Sequence, residues 1–332
     1  MGRDPHCADR TDHDNDNDTD HDHDNDPDHD NDTGHDHVGG GSHSTRLSPG
    51  RQVRQYRGVS LPYDPELIDQ LHELAVASAL EAAALVHEGR RSGVTVADTK
   101  SSASDVVTEM DRRSEALLVD RILTSRPDDG ILGEEGADHV GETGIRWVLD
   151  PIDGTVNYLY GNPSWAVSVG VEIDGIPVVG VVAAPAMGET YVAVLGRGAR
   201  LHDATGVHRL HVNDPVELSG ALVATGFGYT VERRTSQARV VEAVLPRVRD
   251  IRRGGACSVD LCFLAAGRVD AYYERGPRAW DLAAGGLIAR EAGARVEGLH
   301  GMSAGEDLII AAGSHLFGQL HDLLGELHAD TD

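Results

Sequence analysis

Cysteine is scarce in this sequence, and the few cysteines present argue against a small domain stabilised by disulfide bonds or by zinc. The 332 residues include three cysteines, Cys7, Cys257 and Cys262. Their number is odd, and the one pair that lies close in sequence has four residues between its members. Neither a disulfide framework nor a zinc-binding spacing is therefore predicted. Free thiols in a reducing compartment fit this usage best.

Long apolar runs are also missing. No run of 18 apolar residues is present that could span a membrane, and the N-terminal segment lacks the apolar core of a secretory signal peptide. The sequence therefore predicts a cytoplasmic protein that has no membrane partner.

Positive charge is in short supply. Lys and Arg together number 29 against 55 Asp and Glu, which gives a formal net charge of −26. Such a balance repels the phosphates of nucleic acids and of anionic membranes, so neither is an expected partner. The excess is uneven, because residues 1–40 contain 14 Asp against two Arg.

The acidic N-terminal segment has a simple repeating pattern. From Asp12 to Asp32 every even-numbered residue is Asp, with His, Asn, Thr and one Pro between them. This composition predicts a disordered tail and linker over residues 1–60, because it offers almost no apolar surface to bury. Imidazole and carboxylate both bind divalent ions, so a metal-collecting tail is the functional alternative. We favour a solvated tail with loose, unselective metal affinity.

An ordered domain is predicted over residues 61–330, with a metal-site half at 61–200 and a substrate half at 201–330. Asp64 and Pro65 predict a helix start, and Thr108 predicts the cap of a second helix. Further helices are predicted at 235–248, 258–266, 281–292 and 314–327. Strands are predicted at 147–149, 166–173, 178–184, 190–195, 269–273 and 308–312. This interleaving indicates a mixed α and β fold built in layers.

Acidic residues recur where predicted elements begin or end. They are Glu134 and Glu135 after a short apolar pair, Asp150 and Asp153 after a strand, Asp281 at a helix start, and Asp111 in the first turn after Thr108. Singly, each has an ordinary structural explanation as a turn former, a helix cap, a first-turn acid or a solvated loop residue. Together they offer the oxygen ligands that magnesium prefers. Two such ions can stabilise both the attacking and the leaving oxygen of a phosphoryl transfer.

The turn after the strand has further features that suit a phosphate site. Pro151 would fix the turn so that Asp150 and Asp153 converge, and Gly154 would let the backbone approach a ligand closely. The amides of residues 153–155, at the start of a predicted helical turn, would face a phosphate.

Three motifs resemble those of the inositol monophosphatase family: GEEG at 133–136, WVLDPIDGTVNY at 147–158 and AWDLAAG at 279–285. The resemblance extends from about Leu61 to Leu327. It implies a layered αβαβα sandwich, two or three Mg²⁺ ions and a homodimer. It also implies hydrolysis of a phosphate monoester by a metal-activated water.

The resemblance also implies roles for particular residues. Glu134, Asp150 and the Ile152 carbonyl resemble the ligands of one magnesium ion, and Asp150, Asp153 and Asp281 resemble those of a second. Glu134, Thr155 and Asp111 resemble the catalytic set, in which the last two orient the attacking water. The substrate-binding residues implied are Asp153, Gly154, Thr155, Gly255, Cys257, Glu274 and Asp281.

Three further positions match the family less directly. Lys100 matches a basic residue near the metal loop, and Glu135 matches the second acid of its motif, which is not generally a direct ligand. Tyr158 stands where the family usually has Phe, a departure that should leave the chemistry undisturbed.

The segment from Ile251 to Gly276 resembles the ring-binding half of the inositol branch, with Glu274 as the acceptor for ring hydroxyls. The surface alternative for Glu274 is a strand-end acid. Inositol 1-phosphate is therefore the predicted substrate, and histidinol phosphate or another sugar phosphate is the alternative. A non-catalytic metal-binding protein is the alternative from another class, and the complete acidic set argues against it.

Overall fold

The computed structural model describes residues 63–91, 96–99 and 106–332. The predicted tail and linker at 1–60, together with Lys100, lie outside the described residues. The division of the ordered chain at 200/201 stays a prediction. None of the helices in the described part of the chain is both long enough and apolar enough to cross a membrane.

Two helices precede the main sheet, and both begin where they were predicted. Helix α1 (Pro65–Arg91) starts after Asp64, whose side chain accepts a hydrogen bond from the Glu66 amide. It buries Ile68, Leu71, Ala75, Ala79, Ala82 and Val86, the spacing of one helical face. After the antiparallel strands β1 (Val96–Thr99) and β2 (Val106–Thr108), α2 (Glu109–Ser125) starts at Thr108, whose hydroxyl caps the Met110 amide.

The main sheet has eight strands among the described residues. They are β3 (Gly130–Gly133), β4 (Asp138–His139), β5 (Ile145–Asp153), β6 (Ala166–Ile173), β7 (Ile176–Ala184), β8 (Glu189–Val194), β9 (Gly198–Asp203) and β10 (Gly206–Arg209). Their order is β10-β9-β8-β7-β6-β5-β3-β4. Every neighbouring pair is antiparallel except β3 and β5, so the predicted meander is confirmed. Strands β3, β4, β9 and β10 were not predicted, because they are short or carry exposed polar residues.

Strand β5 corrects one prediction. The strand was expected to end at Leu149 and to leave both acids in a turn, but it continues to Asp153. Asp150 pairs with Ser168 and Asp153 pairs with Ala166, so Pro151 and Ile152 form a β-bulge opposite Val167. Pro151 has no amide hydrogen, and the Ile152 amide donates to Asp150 Oδ1 at 3.0 Å. The bulge thus turns both carboxylates toward one site.

The second sheet is smaller and lies between two pairs of helices. Its strands are β11 (Leu222–Thr225), β12 (Asp250–Arg252), β13 (Ala271–Glu274), β14 (Arg295–Glu297) and β15 (Ile309–Ala312). Their order is β12-β11-β13-β15-β14, with β11 parallel to β12 and β13 and the other pairs antiparallel. The helices of this half are α4 (Val231–Val244), α5 (Cys257–Ala265), α6 (Ala279–Glu291) and α7 (Ser314–Glu326), and α3 (Thr155–Tyr160) precedes β6. Helix α4 was predicted four residues too late, because its cap, Thr230, was missed.

The alternation of side chains along β13 and β15 shows the layering. Ala271, Tyr273, Ile310 and Ala312 pack with α4 and α7, whereas Tyr272, Ile309 and Ala311 pack with α5 and α6. Helix α6 also packs on β6 and β7, and α1 packs on the same two strands. Every residue of β6 is buried, as expected of a strand covered on both faces. The predicted αβαβα sandwich is confirmed.

Candidate active site

Four acidic side chains meet where elements of both halves come together. Asp150 and Asp153 are buried in β5, and Asp281 lies in the first turn of α6. One carboxylate oxygen from each of these three lies within 4.8 Å of the other two. Glu134 lines the same cavity, which has a volume of about 520 Å³. We call Glu134, Asp150, Asp153 and Asp281 the acid cluster, and this space the site cavity.

The register of the main sheet explains why Glu134 and Asp150 are neighbours. Strands β3 and β5 run parallel, and Gly133 is paired with Leu149. Glu134 follows Gly133 and Asp150 follows Leu149, so the two acids lie side by side on adjacent strands. The Glu134 amide also donates to the Leu149 carbonyl at 3.2 Å, which continues the pairing by one residue.

The electrostatics of the acid cluster favour the binding of a cation. Burial raises the pKa of Asp150 well above its ordinary value, and repulsion from Glu134, Asp153 and Asp281 raises it further. Burial and then Asp153 likewise raise the pKa of Asp281. Carboxylates held this close are stable as anions only beside a cation. Because every donor in the cluster is a hard oxygen, the residues fit a magnesium-type ion.

Backbone amides fix the orientation of two members of the cluster. Asp153 Oδ2 accepts hydrogen bonds from the Ser258 amide at 2.7 Å and from the Ser258 hydroxyl, at the start of α5. Asp281 Oδ2 accepts from the Arg278 amide. Asp281 is the third residue of α6 and not its cap, a refinement of the sequence interpretation. Ser258 was missed, because its partner is 105 residues away in the chain.

Thr155 and Asp111 form the pair that the sequence analysis expected. Thr155 Oγ1 lies 3.1 Å from Asp111 Oδ1 and 3.1 Å from the buried Ile152 carbonyl oxygen. The other oxygen of Asp111 accepts from the amide and the hydroxyl of Thr108. Burial raises the pKa of Asp111 to about 6, although the bonds from Thr108 act in the opposite direction. The pair therefore joins a hydroxyl to a carboxyl that titrates near neutrality.

Gly154 sits where only glycine fits easily. Its φ of 88° is left-handed, and a Cβ there would lie 3.0 Å from both the Ala256 Cβ and the Ser164 carbonyl oxygen. Gly154 and Thr155 both line the site cavity at the start of α3.

The site cavity also contains three further residues that were expected to contact substrate. Gly255, Cys257 and Glu274 all line it. Glu274 ends β13, and its Oε2 accepts a 2.7 Å hydrogen bond from the Tyr272 hydroxyl. Burial raises the pKa of Glu274 to about 7, so the carboxyl gains its charge near physiological pH. Burial also raises the pKa of the Cys257 thiol, which therefore stays protonated.

The loop that carries Glu134 is held by a residue that sequence reasoning missed. Glu115 is buried in α2, and its two oxygens accept from the amides of Glu135 at 2.8 Å and Ala137 at 2.9 Å. Gly133 leaves room for it, because a Cβ there would lie 2.3 Å from Glu115 Oε2. The signal was available, since Glu115 lies one turn after Asp111 on the same face of α2.

The hydroxyl that distinguishes Tyr158 from the phenylalanine usual in the family has a structural role. Its ring is buried, and its hydroxyl donates to the Val86 carbonyl of α1 at 2.9 Å. The hydroxyl thus ties α3 to α1 without entering the site cavity.

Comparison with known proteins agrees with this geometry. The model of the inositol monophosphatase family matches residues 67–329. An inositol-1-monophosphatase of Mycobacterium bovis is 47% identical over 258 residues, which cover 73% of this chain and 89% of that protein. A Nus factor SuhB of Pasteurella multocida is 37% identical over 244 residues, 72% of this chain and 90% of that one. The structure of Mycobacterium tuberculosis SuhB, 44% identical, superposes with a TM-score of 0.69 over 79% of this chain and 98% of that chain.

Proposed function

The chain belongs to the inositol monophosphatase family, and we propose that it is a magnesium-dependent phosphomonoesterase that hydrolyses inositol 1-phosphate to inositol and phosphate. The observation that carries the proposal is the site cavity itself, a space of about 520 Å³ that is lined by both the acid cluster and Glu274. The greater identity to an inositol-1-monophosphatase than to a Nus factor, 47% against 37%, supports a phosphatase.

The acid cluster would hold two or three ions, with Asp150 as the shared ligand. Glu134 and the Ile152 carbonyl would help to hold one ion, and Asp153 and Asp281 would help to hold the other. Bound Mg²⁺ would supply a Lewis acid that activates water and neutralises charge on the phosphate oxygens.

The other residues orient the reacting groups. Thr155 donates its hydroxyl hydrogen to Asp111 Oδ1, so its lone pairs are available to accept a hydrogen from the attacking water. Asp111 is suited to take up that proton through Thr155, because its pKa of about 6 lies near the working pH. The amides of Gly154 and Thr155 would donate to phosphate oxygens. Together these contacts set the water in line with phosphorus.

Glu274 would distinguish the alcohol part of the substrate. As a carboxylate it accepts hydrogen bonds, and Tyr272 occupies one of its oxygens already. Its remaining acceptor positions suit the hydroxyls of a polyhydroxylated ring, with Gly255 and Cys257 beside it. Because its pKa is about 7, this recognition would strengthen as the pH rises through neutrality.

Phosphate release from inositol 1-phosphate and from histidinol phosphate, measured side by side with MgCl₂ and with EDTA, tests the proposal. The expected result is magnesium-dependent release with the larger kcat/KM on inositol 1-phosphate. A larger value on histidinol phosphate would move the assignment to the alternative substrate. No release from either ester would contradict a phosphatase. Sedimentation of the same preparation tests the proposed homodimer, and cell fractionation tests the cytoplasmic location.

A further inference from the structure

A second cavity lies beside the site cavity and differs from it in chemistry. Its volume is about 530 Å³, close to that of the site cavity, and its described lining includes no member of the acid cluster. Pro277, Arg278, Trp280 and Glu306 line both spaces, which therefore share a wall. We call this space the second cavity.

Apolar side chains from both sheets' surroundings make up most of the lining of the second cavity. Leu282 and Leu287 belong to α6, Ile176 and Pro177 begin β7, and Leu195 follows β8. A space of this volume with a mostly apolar lining and a few polar groups is typical of sites for small organic molecules.

Helix α6 also brings a cation to the second cavity. Leu282, Gly286 and Arg290 follow one another at four-residue spacing, and helical side chains lean toward the N-terminus of their helix. A Cβ at Gly286 would lie 3.4 Å from Arg290 Nη1, so the guanidinium lies over the preceding turn. Gly286 leaves room for it there, and Arg290 lines the second cavity.

Arg290 forms no ion pair with any side chain in the described part of the chain. Its Nη2 donates to the Val296 carbonyl at 3.1 Å, which takes one of the five donors of the guanidinium. Burial lowers the pKa of Arg290 to about 10, and Glu297 acts in the opposite direction, so the cation persists at neutral pH. Glu297 itself is paired with Arg295.

The other charged residues that line the second cavity are paired. Glu172 binds Arg146 at 2.6 Å, and Arg278 binds Glu306. These charges cancel, whereas Arg290 leaves one positive charge beside apolar side chains. A partly buried charge without an ionic partner is costly, so an anion that also covers apolar surface would be stabilised here.

We propose that the second cavity binds a small apolar carboxylate, which pairs with Arg290 and lays its hydrocarbon part against Leu282 and Leu287. The fork of a guanidinium matches the two oxygens of a carboxylate. Ala279 and Ser303 also line the cavity and are exposed, so the ligand can enter from solvent. This site is independent of the proposed function, because it needs neither the acid cluster nor a phosphate ester.

Calorimetry with the full-length protein tests the role of the charge. The probes are 2-naphthoate and its uncharged analogue 2-naphthalenemethanol, titrated in EDTA so that no metal ion can hold the carboxylate. The wild type should bind the carboxylate about tenfold more tightly than the alcohol, the effect expected of a charge-assisted hydrogen bond. Arg290→Gln should remove this preference. Arg253→Gln is the matched control and should keep it, because Arg253 lines the site cavity and not the second cavity.

Nuclear magnetic resonance tests the location of the ligand. Of the three tryptophans, Trp280 lines the second cavity, whereas Trp147 and Trp165 are buried in the core. 2-Naphthoate should shift the indole signal of Trp280, assigned with Trp280→Phe, and leave the other two in place. If Arg290→Gln does not fold, Ser303→Phe takes its place, since a ring at this exposed position would fill part of the second cavity and should weaken the binding of both probes.

Three results would overturn the proposal. The first is equal affinity of the two probes for the wild type, or an equal loss in Arg290→Gln and Arg253→Gln. The second is binding that leaves the Trp280 signal unshifted. The third is a dimeric wild type that binds neither probe beside a monomeric Arg290→Gln, which would show that a second copy of the chain covers the cavity. Failure of the phosphatase assay would leave all of these measurements unaffected.

Discussion

The acid cluster and Glu274 line different parts of the site cavity, which we call the first wall and the Glu274 wall, and the two are assembled differently. Asp150 and Glu134 leave paired strands of the main sheet, and their neighbours are fixed by strand register and by the β5 bulge. Glu274 is paired with Ile309 at the end of a strand of the second sheet, and loops before α4 and α5 complete its wall. The first wall therefore depends mainly on the main sheet, and the second on the second sheet and its loops. Chemistry common to many phosphate esters suits the first, and selection among esters suits the second.

The largest effect is expected at the centre of the acid cluster. Asp150→Asn should abolish turnover more completely than Glu134→Gln or Asp281→Asn, because Asp150 would serve two ions and the others one each. The measurement is kcat for inositol 1-phosphate at saturating MgCl₂. A rate in Asp150→Asn close to that of the wild type would remove the two-ion assignment.

The same variant has a second readout, which needs no substrate. Because the folded-state pKa of Asp150 is raised, the unfolded chain loses its proton at lower pH, and ionisation destabilises the protein without metal as pH rises above the ordinary aspartate range. Asp150→Asn removes this charge, so in EDTA at neutral pH it should melt at a higher temperature than the wild type. A lower melting temperature would show that the carboxylate is already compensated within the protein.

The next effect concerns Thr155 and Asp111, the pair proposed to orient the attacking water. Thr155→Ala should lower kcat by about 10²-fold or more and leave KM largely unchanged, because in the proposed mechanism the hydroxyl would orient the water and the amide would donate to the phosphate. Thr155→Ser keeps the hydroxyl and should recover most of the rate. A change confined to KM would make Thr155 a binding residue.

Much of the first wall could be predicted from the sequence, but few of the residues that hold it in place could be. Asp150 and Asp153 follow a predicted strand, Asp111 and Asp281 open predicted helices, and Glu134 follows a short apolar pair, so their convergence needed the sheet order and the strand before Glu134. Ser258 could not be placed, because its contact with Asp153 joins segments 105 residues apart. Glu115 shares a face of α2 with Asp111, but the amides that it holds lie 20 and 22 residues further along the chain. The bulge in β5 was missed for a local reason, since Pro and Gly beside two acids favour a turn when β6 is not considered.

The Glu274 wall should show its effect as selectivity. Glu274→Ala should lower kcat/KM for inositol 1-phosphate roughly 10–150-fold, the equivalent of a hydrogen bond to a charged acceptor worth about 1.5–3 kcal/mol. Glycerol 2-phosphate has no ring to hold, so its loss should be much smaller. Equal losses on the two esters would show that Glu274 supports the acid cluster or the fold instead.

A smaller effect is expected behind the acid cluster, at Glu115. Glu115→Gln replaces one acceptor oxygen with an NH₂ group that faces a backbone amide, so the loop carrying Glu134 should lose its fixed position. Mn²⁺ binding measured by calorimetry without substrate should weaken about tenfold, in the range found for residues that orient metal ligands. Asp120→Asn is the matched control, because Asp120 is exposed on the same helix. Equal affinities in the two variants would show that Glu134 needs no support from α2.

The smallest effect is expected at Tyr158, where a substitution should change stability and leave catalysis unchanged. Tyr158→Phe removes the hydroxyl that donates to the Val86 carbonyl, and it should lower the free energy of unfolding by about 0.5–1.5 kcal/mol. The loss should lie at the lower end, because a carbonyl within α1 keeps its helical hydrogen bond. The hydroxyl lies outside the site cavity, so kcat and KM for inositol 1-phosphate should not change. Tyr160→Phe is the control, since Tyr160 lies on the same helix and is 82% exposed. Denaturant unfolding of the three proteins measures the difference. A fall in kcat in Tyr158→Phe alone would mean that the tie between α3 and α1 positions Thr155, and the first wall of the cavity would then extend to α1.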